Sequence, residues 1–149
     1  MIDIASRRKA AEVTRRFIAG QISNRAFETA FPSSQDPAIS AIEDTLWCCY
    51  DDFEEHCLKG TWSVTEQTSS IMFRCLIFLY TDEQYQWPTI SYPGVRPIKY
   101  GLFGRLLNRH KKQHTFLTAG DIAYWPFINK ERYDNAKKHP LLLAGYGAK

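Results

Sequence analysis

The sequence lacks a long hydrophobic run and any recognisable cysteine motif. Its longest apolar stretch, residues 71–80, is interrupted by Arg74 and is about half of the ~20 residues that a membrane-spanning helix needs. The first residues contain no apolar segment of the kind found in signal peptides. The four cysteines form neither a C-x-x-C pair nor the spaced framework of a secreted protein. We therefore expect a cytoplasmic protein with reduced cysteines that does not span a membrane.

Motifs of catalysis and metal binding are also absent. The chain contains no G-x-S-x-G sequence and no glycine-rich phosphate loop. His110 and His114 have the spacing of a helical zinc site, but Lys111 stands where H-E-x-x-H has its glutamate. Asp52 and His56, four residues apart, are the best candidates for an acid/base pair. We expect no metal and no cofactor, and enzymatic activity only if a site assembles in three dimensions.

What the chain does contain is charge that is sorted by segment. Residues 1–25 hold six Lys/Arg and two acids, for a net charge of +4. Residues 26–66 hold nine acids and one lysine, for a net of −8, and residues 96–149 hold eleven Lys/Arg and three acids, for a net of +8. Separated charge produces local fields that steer charged partners toward a protein surface.

The length and composition are those of one globular domain. The chain has 149 residues, of which 44% are hydrophobic and 23% are charged, so we treat residues 1–149 as a single domain with its own core. Apolar residues recur with helical spacing, and helix-start and helix-stop residues bound most of these segments. Helices are predicted at residues 5–19, 25–30, 36–59, 65–82 and 130–138.

The predicted fold class is α+β: a mainly helical single domain with a small antiparallel hairpin near the carboxy-terminal third. Residues 115–117 and 122–127 are the strands of that hairpin, separated by Thr118-Ala119-Gly120-Asp121. Residues 71–80 are apolar on nearly every side, which suits either a buried helix or a buried strand. The uninterrupted segment of residues 65–82 is long for a strand and favours a helix.

The helix predicted at residues 36–59 carries the candidate binding site. Asp36-Pro37 is a strong helix start, and the apolar stripe that follows places Phe53 in the core. The opposite face is acidic, and repulsion among its carboxylates does not stabilise a helix. We therefore expect a docking surface for a cationic protein; in the alternative, these acids pair with the basic third of the same chain. The candidate residues are Asp44, Asp51, Asp52 and Glu55.

Arg74 is the one charge within the apolar stretch of residues 71–80. An unpaired buried guanidinium is costly, so we expect a carboxylate partner. Asp51, Asp52 and Asp82 are the candidates. In the alternative, the Arg74 side chain extends along the surface to solvent.

A basic segment follows the proline- and glycine-rich residues after Trp87-Pro88. Its cations can contact phosphate, and nearby aromatic residues can stack on bases. No nucleic-acid recognition motif accompanies them, so such binding would be independent of sequence. This is the alternative function from another class, and its candidate residues are Arg105, Arg109, Lys111 and Lys112.

Several stretches resemble those of a loose group of small bacterial proteins whose function is not characterised. They include residues 17–24 (Phe-Ile-Ala-Gly-Gln-Ile-Ser-Asn), residues 74–79, Trp87-Pro88 and Trp125-Pro126-Phe127. In size and helical layout the chain is also similar to immunity proteins that neutralise toxins in bacterial competition. This resemblance implies a non-catalytic, cytoplasmic, immunity or antitoxin-like protein whose partner is another protein, such as a cationic toxin domain.

Overall fold

A computed structural model of the chain describes residues 1–90 and 109–138, apart from the side chains of residues 109 and 110. In these two ranges the chain forms α-helices and short 3-10 turns and contains no strand. The helices are α1 (Ile4–Ile18), α2 (Asn24–Ala30), α3 (Pro37–Trp47), α4 (Glu66–Leu79), α5 (Arg109–Ala119) and α6 (Lys130–Ala136), and the 3-10 turns are Gly60–Trp62 and Ile122–Tyr124.

Most helix starts follow from local sequence. The side chain of Ser23 accepts a hydrogen bond from the backbone of α2, Asp36 does so for α3 and Asn129 does so for α6. Gly20 follows α1 with a φ of 63°, a left-handed conformation that glycine adopts without strain. The predicted starts of these helices and the glycine stop after α1 are confirmed.

The core lies where α1 packs against α4, with α2 and α3 against α1 and α6 against α4. Residues 71–80 supply the buried face of α4, so the preference for a helix there is confirmed. Two indoles, which also donate hydrogen bonds, complete the core: Trp87 Nε1 to the Pro126 carbonyl at 3.0 Å and Trp125 Nε1 to the Tyr85 hydroxyl at 3.2 Å. No helix among the described residues is both long enough and apolar enough to cross a membrane.

A buried ion pair joins three segments of the core. The guanidinium of Arg7 donates from Nε to Asp36 Oδ2 at 2.6 Å and from Nη2 to Asp36 Oδ1 at 3.1 Å, and both side chains are 1% exposed. Its third nitrogen donates to the carbonyls of Thr81 at 3.2 Å and Glu83 at 2.7 Å, just beyond α4. Asp36 therefore starts α3 and holds Arg7 of α1, and Arg7 in turn holds the segment that follows α4.

The helix predicted at residues 36–59 is shorter than expected. It ends at Trp47, where the backbone N–H of Cys48 donates to the Thr45 carbonyl at 3.2 Å. Asn24 of α2, far away in sequence, forms hydrogen bonds with the residues that follow. The helical period of the apolar residues does not reveal such bonds. Phe53 consequently lies outside the core and is 88% exposed, so its predicted burial is wrong.

The predicted hairpin is wrong as well, and with it the α+β class for the described part of the chain. Residues 115–117 lie within α5, where the hydroxyl of Thr115 donates to the Lys111 carbonyl at 2.9 Å, a bond that lets threonine sit in a helix. Residues 122–127 begin with a 3-10 turn that the side chain of Asp121 caps. The backbone N–H of Asp121 donates to the Ile128 carbonyl at 2.9 Å, so this segment closes on itself as a compact turn.

Arg74 does not have the predicted carboxylate partner. Its Nε donates to the Trp125 carbonyl at 3.0 Å, and Nη1 donates to Ser70 Oγ at 3.1 Å. The side chain is only partly buried, so neutral acceptors and solvent satisfy its charge. Within residues 1–90 and 109–138, no ion pair includes Arg74.

Candidate functional site

A short acidic loop follows α3 and carries an exposed aromatic side chain. We use the name acidic loop for residues 51–55, whose sequence is Asp-Asp-Phe-Glu-Glu and whose side chains are all exposed. Phe53, at its centre, is 88% exposed. The Asp51 carboxylate accepts a hydrogen bond from the Phe53 backbone N–H at 2.8 Å, which fixes the turn that presents this ring.

Buried Asn24 holds both ends of the acidic loop. Its amide nitrogen donates to the carbonyls of Asp51 at 3.0 Å and Glu54 at 2.9 Å. The amide oxygen of Asn24 accepts from the backbone N–H of His56 at 3.0 Å, and the backbone N–H of Asn24 donates to the His56 carbonyl at 2.9 Å. Asn24 is 1% exposed, and its bonds tie the loop to the amino-terminal end of α2.

Three further contacts fix the carboxy-terminal end of the acidic loop. The imidazole of His56 stacks on the indole of Trp62 with ring centroids 4.1 Å apart, and its Nδ1 lies 2.8 Å from the Glu54 carbonyl. The hydroxyl of Ser23 donates to the Glu55 carboxylate at 2.6 Å. His56 is thereby placed as a support for the loop, and its Nδ1 is engaged by a backbone carbonyl and not by Asp52.

Replacing Asn24 with alanine is expected to lower the free energy of unfolding by about 2 to 3 kcal/mol, because several backbone groups of the loop lose their partner. Chemical denaturation measures this loss. The matched control is Asn135→Ala on α6, where the asparagine is exposed and its replacement should change stability by less than about 0.5 kcal/mol. Equal effects of the two substitutions would show that Asn24 does not hold the loop.

An acidic cleft lies beside the loop, between α2 and α3. It has a volume of about 170 Å³ and combines carboxylates with aromatic rings. The floor is continuous with the core, because Phe27 stacks on buried Phe17 at a centroid distance of 4.6 Å, and Tyr50 meets Phe17 edge-on at 5.0 Å. Trp47, at the end of α3, is 42% exposed. The lining residues are Phe27, Glu28, Glu43, Asp44, Trp47 and Tyr50.

Negative charge converges on this cleft. The Tyr50 hydroxyl donates to Glu28 Oε1 at 3.0 Å. Burial raises the pKa of Tyr50, and the hydrogen bond and charge of Glu28, with the charges of Asp52 and Glu43, raise it further. Burial also raises the pKa of Glu43, as does the neighbouring charge of Asp44. The free protein therefore holds these carboxylates in mutual repulsion, which a bound cation would relieve.

The structure brings the predicted acidic residues together, although not on one helix face. Asp44 lines the cleft and Asp52 contributes to the negative field at Tyr50. Asp51 and Glu55 lie at the two ends of the acidic loop; Asp51 accepts a hydrogen bond from within the loop and Glu55 accepts one from Ser23. Sequence reasoning missed the other members of the cleft, because nothing local indicates that residues of both α2 and α3 line one cleft. These missed residues are Glu28, Glu43, Trp47 and Tyr50.

The ion pairs seen among the described residues lie outside the cleft and the loop. The ion pairs found in residues 1–90 and 109–138 join Arg7 to Asp36 and join Asp134 to Lys130 and Lys137. The pairing of the acidic segment with the chain's own basic third is therefore not seen in this part of the molecule.

The basic candidate site is described only in part. Lys111 and Lys112 are exposed on α5. Arg105 and the side chain of Arg109 lie outside the described residues. The described part of the structure therefore contains only two of the four cations of the predicted patch. No cluster of three metal-ligating side chains occurs among the side chains that are described. The four cysteines, all within the described residues, are not joined in disulfides, and burial raises the pKa of Cys49 to about 12.

Comparison of the chain with models of protein families, with curated proteins and with solved structures gives no match.

Proposed function

We propose that this chain is a non-catalytic, cytoplasmic protein-binding module of the immunity or antitoxin type, which neutralises a cationic toxin domain by direct binding. The surface that binds the partner is the acidic cleft together with the acidic loop, and we call it the acidic docking surface. The observation that carries the proposal is the gathering of carboxylates around Tyr50 and exposed Trp47 in one cleft, next to a loop of four exposed acids.

The physical chemistry of the cleft suits a lysine or arginine side chain from a partner. Glu28, Glu43 and Asp44 supply the negative charge. Trp47 and Tyr50 supply aromatic surface, on which a guanidinium or ammonium gains further stabilisation. Burial and, after it, the charge of Asp44 raise the pKa of Glu43, and a cation in the cleft would favour the ionised form of both carboxylates.

The acidic loop extends the same charge outward from the cleft. Complementary charge across an interface mainly accelerates association and excludes partners of the wrong sign. A strongly basic partner surface would therefore be captured quickly, and the capture would weaken as salt is added. An inhibitor that must reach a toxin before the toxin acts benefits from fast association.

Reversing two charges of the acidic docking surface should abolish capture. Two tagged proteins are compared, the wild-type chain and the Asp44→Lys/Asp52→Lys variant. Each is co-expressed with the adjacent reading frame, and each is also used to capture proteins from an extract of the source cell. We expect the wild type to retain a basic protein that salt elutes, and the variant to retain it about tenfold less or worse.

The matched control is Asp82→Lys/Glu131→Lys, which makes the same charge change at two exposed acids outside the cleft and the loop. It should capture the partner as the wild type does. Equal capture by all three proteins, or capture that salt does not affect, would contradict the proposed function.

A further inference from the structure

The ring of Phe53 is exposed to solvent and is not part of the hydrophobic core. At 88% exposed it is the most exposed large apolar side chain of the described part of the chain apart from Met1. An apolar ring left in water contributes nothing to folding, because the hydrophobic effect rewards only the area removed from solvent. Single exposed apolar residues are ordinary on protein surfaces, so the setting of this one is what gives it meaning.

That setting is a loop whose shape is fixed before any partner arrives. Asp51 fixes the turn at Phe53 through its 2.8 Å hydrogen bond, and buried Asn24 holds the carbonyls of Asp51 and Glu54 on either side. The backbone that presents the ring therefore loses little conformational entropy when it binds. Such preorganisation increases affinity without adding contacts.

The charges around the ring define what it fits. Asp51, Asp52, Glu54 and Glu55 flank Phe53 on both sides along the chain, and all four are exposed. Their charge disfavours contact with a second copy of the same loop, since like charges would meet. It favours a recess that is apolar inside and carries Lys or Arg at its rim. Aromatic anchors in such recesses, surrounded by polar contacts that exclude water, often dominate the energy of protein interfaces.

We propose that Phe53 is the anchor residue of the acidic docking surface and inserts into an apolar pocket rimmed by cations on the partner protein. This inference rests on the proposed function and specifies the partner: a protein with a recess for one phenyl ring and with basic residues around it. A merely acidic surface would bind any polycation, whereas the anchor selects a partner by shape.

A displayed library of random peptides, selected on the immobilised full-length chain, provides the probe. We expect the enriched peptides to combine Lys or Arg with apolar residues. Phe53→Ala should weaken their binding about 30-fold, whereas Phe73→Ala, at a partly exposed phenylalanine of α4, should leave binding unchanged. The unfolding midpoint of each variant establishes that it is folded.

The outcomes separate this inference from the proposed function. If Asp44→Lys/Asp52→Lys abolishes peptide binding and Phe53→Ala does not, the docking surface stands and the anchor is wrong. If Phe53→Ala abolishes binding and the charge reversal has no effect, the cationic rim and the proposed function are both overturned. Failure to enrich any peptide that depends on Phe53 also overturns the inference.

A photo-reactive phenylalanine analogue at position 53 tests whether Phe53 contacts a partner or another segment of its own chain. Irradiation with a selected peptide should cross-link position 53 to that peptide. A cross-link into residues 96–149 of the same molecule would mean that the chain's own basic segment covers Phe53, and it would overturn the proposal.

Discussion

Replacing Arg7 with methionine is expected to lower the free energy of unfolding by about 3 to 5 kcal/mol. The substitution keeps an unbranched apolar stem but removes the bidentate pair with Asp36. It also removes the hydrogen bonds to the Thr81 and Glu83 carbonyls and the guanidinium that lies 5.1 Å from the centroid of the Phe78 ring. The carboxylate of Asp36 would then be buried without its cation, and that is the main cost. Chemical denaturation at neutral pH measures the loss.

The loss in free energy of unfolding caused by Arg7→Met should depend on pH, because the pKa of the Asp36 carboxyl differs between the two proteins. Burial alone would raise the pKa of Asp36, but the hydrogen bonds from Arg7 and from two backbone N–H groups lower it below its ordinary value. In the wild type, the stability from this group is present above the ordinary pKa of an aspartate and is lost as the pH falls through the lowered pKa. In the variant, burial without the cation raises the pKa of Asp36. The difference in stability between the two proteins should therefore shrink as the pH falls from 7 toward 4.

The control for the ion pair is the double variant Arg7→Met/Asp36→Asn. Asparagine can still accept the hydrogen bond that starts α3, and it leaves no buried charge. The double variant should recover part of the loss caused by Arg7→Met alone, so that the two substitutions are not additive. A single variant that loses less than about 1 kcal/mol would show that Arg7 is not essential to the core.

Replacing Phe17 with alanine should also cost about 3 to 5 kcal/mol. Its ring is 0% exposed and contacts the rings of Phe27 and Tyr50, so its removal leaves a cavity directly beneath the acidic cleft. We expect a lower denaturation midpoint and, in the variant that remains folded, weaker capture of a partner because Tyr50 is no longer supported.

Phe53→Ala is the matched comparison for Phe17→Ala, since the same atoms are removed from a ring that is almost wholly in solvent. It should change the free energy of unfolding by less than about 0.5 kcal/mol. If the Phe53 variant were the less stable of the two, the assignment of Phe17 to the core and of Phe53 to the surface would be reversed.

Short-range features of the fold were predictable because the residues that determine them are adjacent in sequence. Asp36-Pro37, Ser23 and Asn129 start helices through hydrogen bonds to backbone groups two or three residues away. Gly20 ends α1 for an equally local reason, its positive φ. The apolar stretch that became α4 was long enough to favour a helix, and its buried face made that interpretation correct.

The errors arose where distant residues decide the structure. Apolar residues kept a helical period beyond Trp47, but Asn24, 27 residues before Asp51, holds the segment in another shape. Arg74 was the arginine that the sequence marked as buried, since it interrupts an apolar stretch. Arg7 is the one that is buried with a carboxylate, and it lies in an Arg-Arg-Lys run that reads as surface. Its partner, 29 residues away, was recognised only as a helix start.

The candidate site was predictable in composition and not in shape. The excess of acids in residues 26–66 is visible in the sequence, and Asp44 and Asp52 do lie at the cleft or near it. The cleft itself needs Glu28 from α2 beside Glu43 from α3, and no periodicity shows how two helices pack. The helical period of the apolar residues after Asp36 places Phe53 in the core, and only its surroundings in the structure reveal the exposed position.

The negative charges of Asp44 and Asp52 on the acidic docking surface are proposed to serve a partner and not to stabilise the fold. Denaturant unfolding of Asp44→Lys/Asp52→Lys at low ionic strength tests this most directly, because low salt strengthens every interaction between charges. We predict a midpoint equal to that of the wild type or higher, since the reversal relieves the repulsion around Glu43 and Tyr50. A clearly lower midpoint would contradict it, because the two aspartates would then be pairing with cations of their own chain.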